Sequence, residues 1–398
     1  MALKVEVYEK EKVRPSSPTP QTLRYHKLSL LDVLAGPFYT PLILFYDSAA
    51  GPRRHDYDEL RESLSKTLSV LYPFAGRLKD GSIIECNDEG ADFVRANVTN
   101  YDLGEFLRDP KLEDLRQLLP RDPYPDAIDP AMPMLAVQVT RFRCGGTAVA
   151  FCTWHGVVDA IGMAGLFNTW AAINRGEWVA GGGLVVDAAA IFSPGNSTVF
   201  QAMSTAMAGL KEKLGKYASK RFIFTKQDIE RIRSQYSQSE HHRRPSRVEA
   251  LSAFVWAAVI RATLVANPTL KTHLLSHYVN LRKKVDPPLP SQCLGNIIQG
   301  TESVWEVTSG PVSARSVVGR VVEAIDKVTK DYVREMHTEG HTLNDIALLV
   351  DTKDGGVEAW IGLEHEVMCN LDKDMEFRAY VSSAHIVLES ASRLSSAL

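Results

Sequence analysis

The fold is decided by the stretch Ala148-Val-Ala-Phe-Cys-Thr-Trp-His155-Gly-Val-Val-Asp159. Up to Trp154, its β-branched and aromatic residues predict a buried strand, which Gly156 interrupts. The residues that follow, 160–170, have the composition of an apolar helix. His155 is therefore expected at the end of a strand, where catalytic groups collect because the sheet fixes the backbone while the side chain faces a cleft.

His155 has the chemistry of a general base. An imidazole can remove a proton from a hydroxyl or an amine near neutral pH. Asp159 lies about one helical turn further along the chain and could orient the ring as the acid of a catalytic triad does. The alternative for His155 is a hydrogen-bonded structural histidine, and the H-x-x-x-D spacing by itself leaves both interpretations open.

The segments before this stretch predict further elements. The alternating run 135–142 and the turn Cys144-Gly-Gly146 predict a hairpin whose second strand ends at the histidine. Residues 57–71 carry leucines at helical spacing and predict an amphipathic helix. The segments 82–86 and 92–98 predict a second hairpin after a tight bend.

Domain boundaries are predicted from the glycine-rich and weakly periodic middle of the chain. We place a crossover at 181–220, between a first domain at 1–180 that carries the H-x-x-x-D motif and a second domain at 221–398. In the second domain, Ser246-Arg247-Val-Glu249 predicts a capping box that opens an apolar helix. A later strand ends at Arg282, and a proline-rich loop then leads to Gly295-Asn296.

Composition narrows the classes of function. A chain of 398 residues is longer than a single core usually grows, so two domains are the default expectation. A hydrophobic content of 45%, a charged content of 23% and a formal net charge of −3 favour neither nucleic acid nor membrane as a partner. The five cysteines are scattered, and the sequence has no recognisable signal peptide or membrane span, which predicts reduced thiols and a cytoplasmic location.

Several motifs occur together in one order: Tyr72-Pro-Phe-Ala-Gly-Arg77-Leu, His155-Gly-Val-Val-Asp159 and Asn280-Leu-Arg282. In these motifs the chain resembles the plant BAHD acyltransferases, which move acyl groups from coenzyme A. It is similar to the vinorine synthase branch of that family in the runs Pro15-Ser-Ser-Pro-Thr-Pro20, Leu42-Ile-Leu-Phe-Tyr46 and Cys144-Gly-Gly-Thr147. The resemblance implies the chloramphenicol acetyltransferase-like α/β fold: a monomer of two domains, each a mixed sheet with flanking helices, with a channel at the domain interface and no metal.

The resemblance also implies roles for individual residues. His155 would take a proton from an acceptor alcohol or amine, a small plant specialised metabolite, as it attacks the thioester of acyl-CoA, with acetyl-CoA as the expected donor. Asp159 would point away from the reaction and pair with Arg282 as structural support, since a carboxylate in an apolar neighbourhood needs a fixed cation. Ser246 and Arg247 would lie at the coenzyme A entrance, where helix amides suit a phosphate; a plain helix cap without a ligand is the alternative.

One element of the resembled family is missing from this sequence. BAHD enzymes carry Asp-Phe-Gly-Trp-Gly before the strand expected at 346–351, whereas here residues 333–344 join the neighbouring elements directly, so the second domain is shortened. A second possible function is therefore a weak or inactive relative that binds a small molecule or a partner protein. A metal site at His365-Glu366 and Cys369 is disfavoured because the second histidine of H-E-x-x-H is absent.

Overall fold

The computed structural model describes residues 3–47, 57–178, 184–209, 212, 217–236, 243–335, 346–351, 355–381 and 383–388. The chain divides into two compact units: Met1–Leu210 with Leu281–Ile298, and Lys211–Asn280 with Gln299–Leu398. The expected boundaries, 1–180 and 221–398, need two corrections. The first unit continues to Leu210, and Leu281–Ile298 also lies with it although that segment follows a strand of the second unit. Residues 181–183, 210–211 and 213–216 of the expected crossover lie outside the described residues, and so does most of 333–344.

The first unit is built on a mixed sheet. Its elements in chain order are β1 (Val5–Val13), β2 (Tyr25–Lys27), α1 (Leu30–Leu34), β3 (Tyr39–Tyr46), α2 (Tyr57–Val70), β4 (Arg77–Lys79), β5 (Ile83–Glu85), β6 (Ala91–Val98), α3 (Leu103–Phe106), α4 (Leu112–Gln117), β7 (Leu135–Phe142), β8 (Thr147–Trp154), α5 (Ala160–Arg175), α6 (Ala188–Ile191) and α7 (Ser197–Met207). The main sheet has the order β1-β6-β7-β8-β3, in which β6 and β7 run parallel and the other neighbours antiparallel. A smaller sheet has the order β2-β5-β4.

The two hairpin predictions have different outcomes. β7 pairs antiparallel with β8, so the hairpin expected around Cys144-Gly-Gly146 is confirmed. The hairpin expected from 82–86 and 92–98 is wrong, because β5 pairs with β2 and β4 whereas β6 pairs with β1 and β7. Gly90 explains the separation: its φ is +88° and an added Cβ would lie 2.2 Å from the carbonyl oxygen of Val13, so the chain enters β6 alongside the end of β1.

β8 is the strand that positions the site. All of its residues are buried, in agreement with the apolar run at 148–152 in its middle. Phe151 of β8 packs edge-on against Trp170 of α5, with ring centroids 5.7 Å apart. The Trp170 indole donates to the hydroxyl of Ser63 on α2 at 2.9 Å, so α2 and α5 are joined over the same core.

The second unit has its own core and two sheets among its described residues. Its elements are β9 (Tyr217–Phe224), α8 (Lys226–Ser234), α9 (Arg247–Ala266), β10 (Thr272–Asn280), β11 (Ile298–Glu306), α10 (Ala314–Asp326), α11 (Lys330–Glu335), β12 (Ile346–Asp351), β13 (Val357–Glu364), α12 (His365–Leu371), α13 (Met375–Arg378) and β14 (Ser383–Leu388). One sheet has the antiparallel order β12-β13-β9-β14, and β10 pairs with β11 in the other.

Helix α9 is the longest apolar helix among the described residues. Its length and composition would allow a membrane span, as is also true of many core helices, and 61% of the apolar stretch is buried inside the protein. Trp256, Phe254 and Ala257 of α9 belong to the core of the second unit. The predicted capping box opens this helix: the Ser246 side chain accepts from the Glu249 amide while the Glu249 carboxylate accepts from the Ser246 amide.

Candidate active site

His155 follows directly on β8 and opens a 3₁₀ turn, His155–Val157, so it lies at the strand end that the sequence predicts. Its backbone amide donates to the carbonyl oxygen of Phe38 at 2.9 Å, and the two rings lie 4.9 Å apart. A Cβ at Gly156 would lie 2.9 Å from Nε1 of Trp154, so a glycine lets the turn lie close to the strand end. The backbone of the histidine is therefore fixed by the sheet.

His155 as a whole residue is partly exposed, whereas the Nδ1 atom of its ring is buried and makes no hydrogen bond of ordinary geometry. Burial lowers the pKa of His155; its own carbonyl oxygen, the charge of Asp159, the side chain of Asn296 and the charge of Asp32 act in the opposite direction. A lowered pKa keeps the ring neutral at pH 7. This is the protonation state that a general base requires.

Asp159 forms a buried ion pair with Arg282. The two side chains are 2% and 0% exposed, and two guanidinium nitrogens donate to the two carboxylate oxygens at 2.8 and 2.9 Å. The same carboxylate accepts from the amides of Gly162 at 2.8 Å and Ile297 at 3.1 Å. These donors fill the acceptor positions of both oxygens, so Asp159 is engaged with Arg282 and backbone amides rather than with the imidazole. The pairing is the one that the resemblance implies.

A second buried carboxylate belongs to Asp32, which is 2% exposed and which no motif in the sequence singles out. Its Oδ2 accepts from the Ser29 amide at 2.9 Å and the Ser29 hydroxyl at 2.7 Å. Its Oδ1 accepts from the backbone amide of Asn296 at 2.6 Å and from the side-chain amide at 3.1 Å. The side-chain nitrogen of Asn296, Nδ2, also donates to the carbonyl oxygen of His155 at 2.7 Å. Asp32 and Asn296 therefore form one buried polar group with the backbone of the histidine.

The sequence contains only a partial signal for this group. Ser29 and Asp32 form a capping box at the start of α1, a spacing that predicts a helix start but not a buried site. Asn296 is identified in the sequence only as the end of a proline-rich loop. Asp32 and Asn296 are 264 positions apart, so their contact depends on the completed fold.

Glycines let residues 281–298 lie along α5. A Cβ added to Gly162 would lie 3.1 Å from the carbonyl oxygen of Cys293. A Cβ added to Gly165 would lie 2.3 Å from the carbonyl oxygen of Gln292. Gly295 has a φ of +113°, and its carbonyl oxygen accepts from the Asp159 amide at 3.3 Å. This close approach brings Arg282 and Asn296 into the first unit, and it is the physical reason for the corrected domain boundary.

A family model described as the Transferase family matches residues 3–349. The chain belongs to this family, the plant BAHD acyltransferases. Limonoid 21-O-acetyltransferase of Melia azedarach is 31% identical over 97% of this chain and 100% of its own length. Vinorine synthase of Rauvolfia serpentina is 30% identical over 94% of this chain and 98% of its own length.

Solved structures confirm the BAHD fold of the chain. The crystal structure of vinorine synthase matches with a TM-score of 0.77 and 28% identity, covering 95% of this chain and 98% of that one. The crystal structure of F. graminearum TRI101 complexed with coenzyme A and T-2 mycotoxin has the same fold. It matches with a TM-score of 0.66 and 14% identity, covering 90% of this chain and 99% of that one. The expected two-domain, mixed α/β fold class is therefore confirmed, and BAHD enzymes use acyl-CoA.

The two residues expected at the coenzyme A entrance lie in the second unit of this BAHD chain. Ser246 caps α9, and Arg247 donates through Nη2 to the carbonyl oxygens of Gly355 at 2.7 Å and Gly356 at 3.2 Å. His155, Asp159 and Arg282, by contrast, lie together in the first unit.

A cavity of about 220 Å³ lies at the start of α9, lined by Ser246, Glu249, His277 and Tyr278 among others. Burial lowers the pKa of His277 to about 4, so this ring is neutral at pH 7. Burial tends to raise the pKa of Glu249, but hydrogen bonds from Arg243 and Ser246 lower it overall. The Glu249 carboxylate beside this cavity is paired with Arg243, which donates to its two oxygens at 2.8 and 2.9 Å. Contact of a phosphate with Ser246 and Arg247 stays a prediction.

The disfavoured metal site has an incomplete set of ligands. His365 Nδ1 and Cys369 Sγ are 3.7 Å apart on α12. Within the part of the chain that the structure describes, no group of three or more histidine, cysteine, aspartate or glutamate side chains is placed to hold a metal ion.

Proposed function

We propose that this BAHD chain is an acyl-CoA-dependent O-acyltransferase that moves an acetyl group onto a hydroxyl, or an amine, of a plant specialised metabolite. Family membership supports acyl transfer. The names of relatives, which include a limonoid 21-O-acetyltransferase and a stemmadenine O-acetyltransferase, support acetyl as the group and an alcohol as the acceptor. The observation that carries the proposal is the position of His155, a partly exposed residue at the end of β8 whose ring has a pKa lowered by burial.

In the proposed reaction His155 is the general base. As the acceptor oxygen forms its bond to the thioester carbonyl carbon, its proton passes to the neutral imidazole. The tetrahedral adduct then collapses, the carbon–sulfur bond breaks, and the imidazolium returns the proton to the departing thiolate. The products are an acetyl ester and free coenzyme A, and the ring is neutral again without a covalent acyl-enzyme.

Asp159 and Arg282 act as structural support in this proposal. Their buried pairing holds the start of α5 against residues 281–298 and leaves neither side chain available for proton transfer. Contact of coenzyme A with Ser246 and Arg247, a monomeric state and a cytoplasmic location remain predictions from the sequence.

An alternative function is that of a weak or inactive BAHD relative that acts as a binding module. The Asp-Phe-Gly-Trp-Gly element is missing from the sequence. The alignment with limonoid 21-O-acetyltransferase extends over 435 residues, whereas this chain has 398, so that relative has residues without a counterpart here. A chain that has lost part of the donor channel could retain a pocket for the acceptor and lose turnover.

Release of coenzyme A thiol from acetyl-CoA separates the two functions. The purified chain is assayed with a panel of limonoid and alkaloid alcohols, and with water alone as acceptor, alongside His155→Ala. We expect turnover by the native chain and a loss of roughly 10²- to 10⁴-fold in His155→Ala, with an unchanged melting temperature. Turnover that survives in His155→Ala would refute the role of the histidine. Saturable binding of an alcohol by calorimetry, without thiol release by the native chain, would identify a binding module.

A further inference from the structure

The run Arg243-Arg244-Pro245-Ser246 stands directly before α9, and the proposed reaction uses neither arginine. Adjacent arginines three and two positions before a serine or threonine occur once in the 398-residue chain. Arginine-directed protein kinases select their acceptor serine by these two positions, because acidic side chains in their substrate cleft pair with the planar guanidinium groups. The sequence therefore marks Ser246 as an acceptor for a phosphoryl group.

The backbone at Ser246 suits a kinase cleft, which binds the residues before the acceptor as an extended chain. Residues 243–246 contain neither helix nor strand, and α9 begins at Arg247. Ser246 is exposed, and its φ of −63° and ψ of 170° are extended values. The residue is therefore accessible to a second protein without unfolding of α9.

The two arginines of the run lie at the surface. Their side chains are 43% and 46% exposed. Arg244 donates to Glu230 at 2.8 Å, and this carboxylate is itself 44% exposed and also accepts from Arg233 at 2.6 Å. Because exposed ion pairs are weak, a kinase can take Arg244 from Glu230 at little cost, and Glu230 keeps a partner.

Ser246, Glu249 and Arg243 form one group that a phosphate would rearrange. The Ser246 Oγ accepts from the Glu249 amide at 3.2 Å, and the Glu249 carboxylate accepts from the Ser246 amide at 2.7 Å. Arg243 donates to both oxygens of that carboxylate, at 2.8 and 2.9 Å. A phosphate on Oγ carries about −1.5 to −2 charges at pH 7 and would lie beside the carboxylate. Because like charges repel and a guanidinium binds phosphate well, Arg243 should turn from Glu249 to the phosphate.

We propose that Ser246 is phosphorylated by an arginine-directed serine kinase and that the added charge weakens the use of acyl-CoA. In the transfer, Oγ forms a bond to the γ-phosphorus of MgATP, the bond from that phosphorus to the β–γ bridging oxygen breaks, and ADP leaves. The hydroxyl proton passes to the catalytic aspartate of the kinase. The modification is independent of the reaction at His155, whereas its effect on acyl-CoA rests on the proposed function.

The effect on the donor follows from the position of Ser246. This residue lines the cavity of about 220 Å³ at the start of α9, together with Glu249. Coenzyme A carries phosphates, and Ser246 and Arg247 are the residues that the sequence predicts to contact it. A phosphate on Ser246 adds negative charge to this cavity and takes Arg243 from Glu249, so an anionic donor is repelled.

Phosphate mapping in the full chain tests the modification. The native chain is incubated with MgATP and the catalytic subunit of the cyclic AMP-dependent kinase, and cleavage after glutamate releases residues 241–249 for mass spectrometry. We expect one phosphate on this peptide, at Ser246. Arg244→Ala should be phosphorylated at least about 10-fold more slowly, because the kinase loses a charge-assisted contact, while its melting temperature stays the same.

Ser313 is the matched control within the same chain. It opens α10 with the same kind of capping box as Ser246, but Gly310 and Pro311 stand where Ser246 has its two arginines. We expect no phosphate on Ser313. Absence of phosphate from Ser246, or an equal amount on Ser313, would overturn the proposal.

The effect on acyl-CoA is measured with two variants that differ by one charge. Asparagine and aspartate both cap helices well, so Ser246→Asn and Ser246→Asp keep the start of α9 and only the second adds a negative charge. We expect the KM for acetyl-CoA to be roughly 3- to 10-fold higher in Ser246→Asp than in Ser246→Asn, with the same kcat. Equal KM values would refute the effect of the charge.

Thiol release keeps this result apart from the proposed function. If Ser246→Asn turns over acetyl-CoA, the transferase function holds, and equal KM values count against the regulation alone. If neither the variants nor the native chain release thiol, the proposed function fails, and the Kd of acetyl-CoA from calorimetry replaces KM in the same comparison. The phosphate map of the native chain decides the modification in either case.

Discussion

Replacing Arg282 with alanine should destabilise the first unit strongly. The guanidinium is 0% exposed and pairs with Asp159, which is 2% exposed, through bonds of 2.8 and 2.9 Å. Removing one partner of a buried ion pair leaves an uncompensated charge, at a cost of about 3–5 kcal/mol. The variant also loses the hydrogen bond from Arg282 to the Cys293 carbonyl oxygen, 2.8 Å long, which adds about 1 kcal/mol to the cost. The Gly295 carbonyl oxygen still accepts from the Asp159 amide, so it adds nothing to the cost.

The sum, about 4–6 kcal/mol, is a large part of the free energy of unfolding of a typical protein, which is roughly 5–15 kcal/mol. At about 2–4 °C per kcal/mol for a unit of this size, the melting temperature should fall by about 8–24 °C. Circular dichroism during thermal unfolding measures this shift. Arg143→Ala is the matched control, because Arg143 is 53% exposed and pairs with Asp102 and Glu105 at the surface, where such pairs contribute below about 1 kcal/mol.

Two results would refute this reasoning. If Arg282→Ala melts with the native chain but has no turnover, Arg282 acts in the reaction and is not structural support. If Arg143→Ala shifts the melting temperature as much as Arg282→Ala, burial is not the source of the effect. The double variant Asp159→Asn with Arg282→Met removes both charges and should recover part of the lost stability, since a buried pair can often be replaced by uncharged groups at little cost.

Two further predictions follow from the same unit. Because burial lowers the pKa of His155 and the base must be unprotonated, kcat/KM should stay level as pH falls through about 6.5 and decline only below it; a decline that begins above pH 6.5 contradicts the assignment. Gly162→Ala should lower the free energy of unfolding in urea by about 1–3 kcal/mol, because the new Cβ would lie 2.4 Å from Cγ2 of Val158. Gly104→Ala, which has open space around the new Cβ, should raise it by about 0.5–1 kcal/mol. Equal effects of the two substitutions would show that the close approach at Gly162 is not limiting.

Local patterns predict the elements that carry the histidine. The apolar run of β8, the turn before it and the helix after Asp159 are all set by neighbours within a dozen residues, and all are present in the structure. The failed hairpin of 82–98 had equally good local patterns. The two strands of that segment, β5 and β6, join different sheets. The sheet that β6 joins is decided by its pairing with β1 and β7, which are distant from it in sequence.

The candidate site divides in the same way. His155 and its H-x-x-x-D partner are recognisable because they lie on one short stretch, and Arg282 is recognisable only through family resemblance. Asp32 and Asn296 carry no such signal, since a buried aspartate at a helix start and an asparagine after a glycine are both common structural residues.

The segment 281–298 explains why the missed residues and the corrected domain boundary have one cause. The buried carboxylates of Asp32 and Asp159 need donors, and their own neighbours along the chain supply only some of them. Arg282 and the amides of Asn296 and Ile297 supply the others, from a stretch that the chain reaches only after building β9, α8, α9 and β10 of the second unit. Burying two carboxylates is costly unless every acceptor is filled, so the first unit is stable only when this segment returns to it. The histidine belongs to one stretch of sequence, but the buried polar groups around its backbone are completed by another.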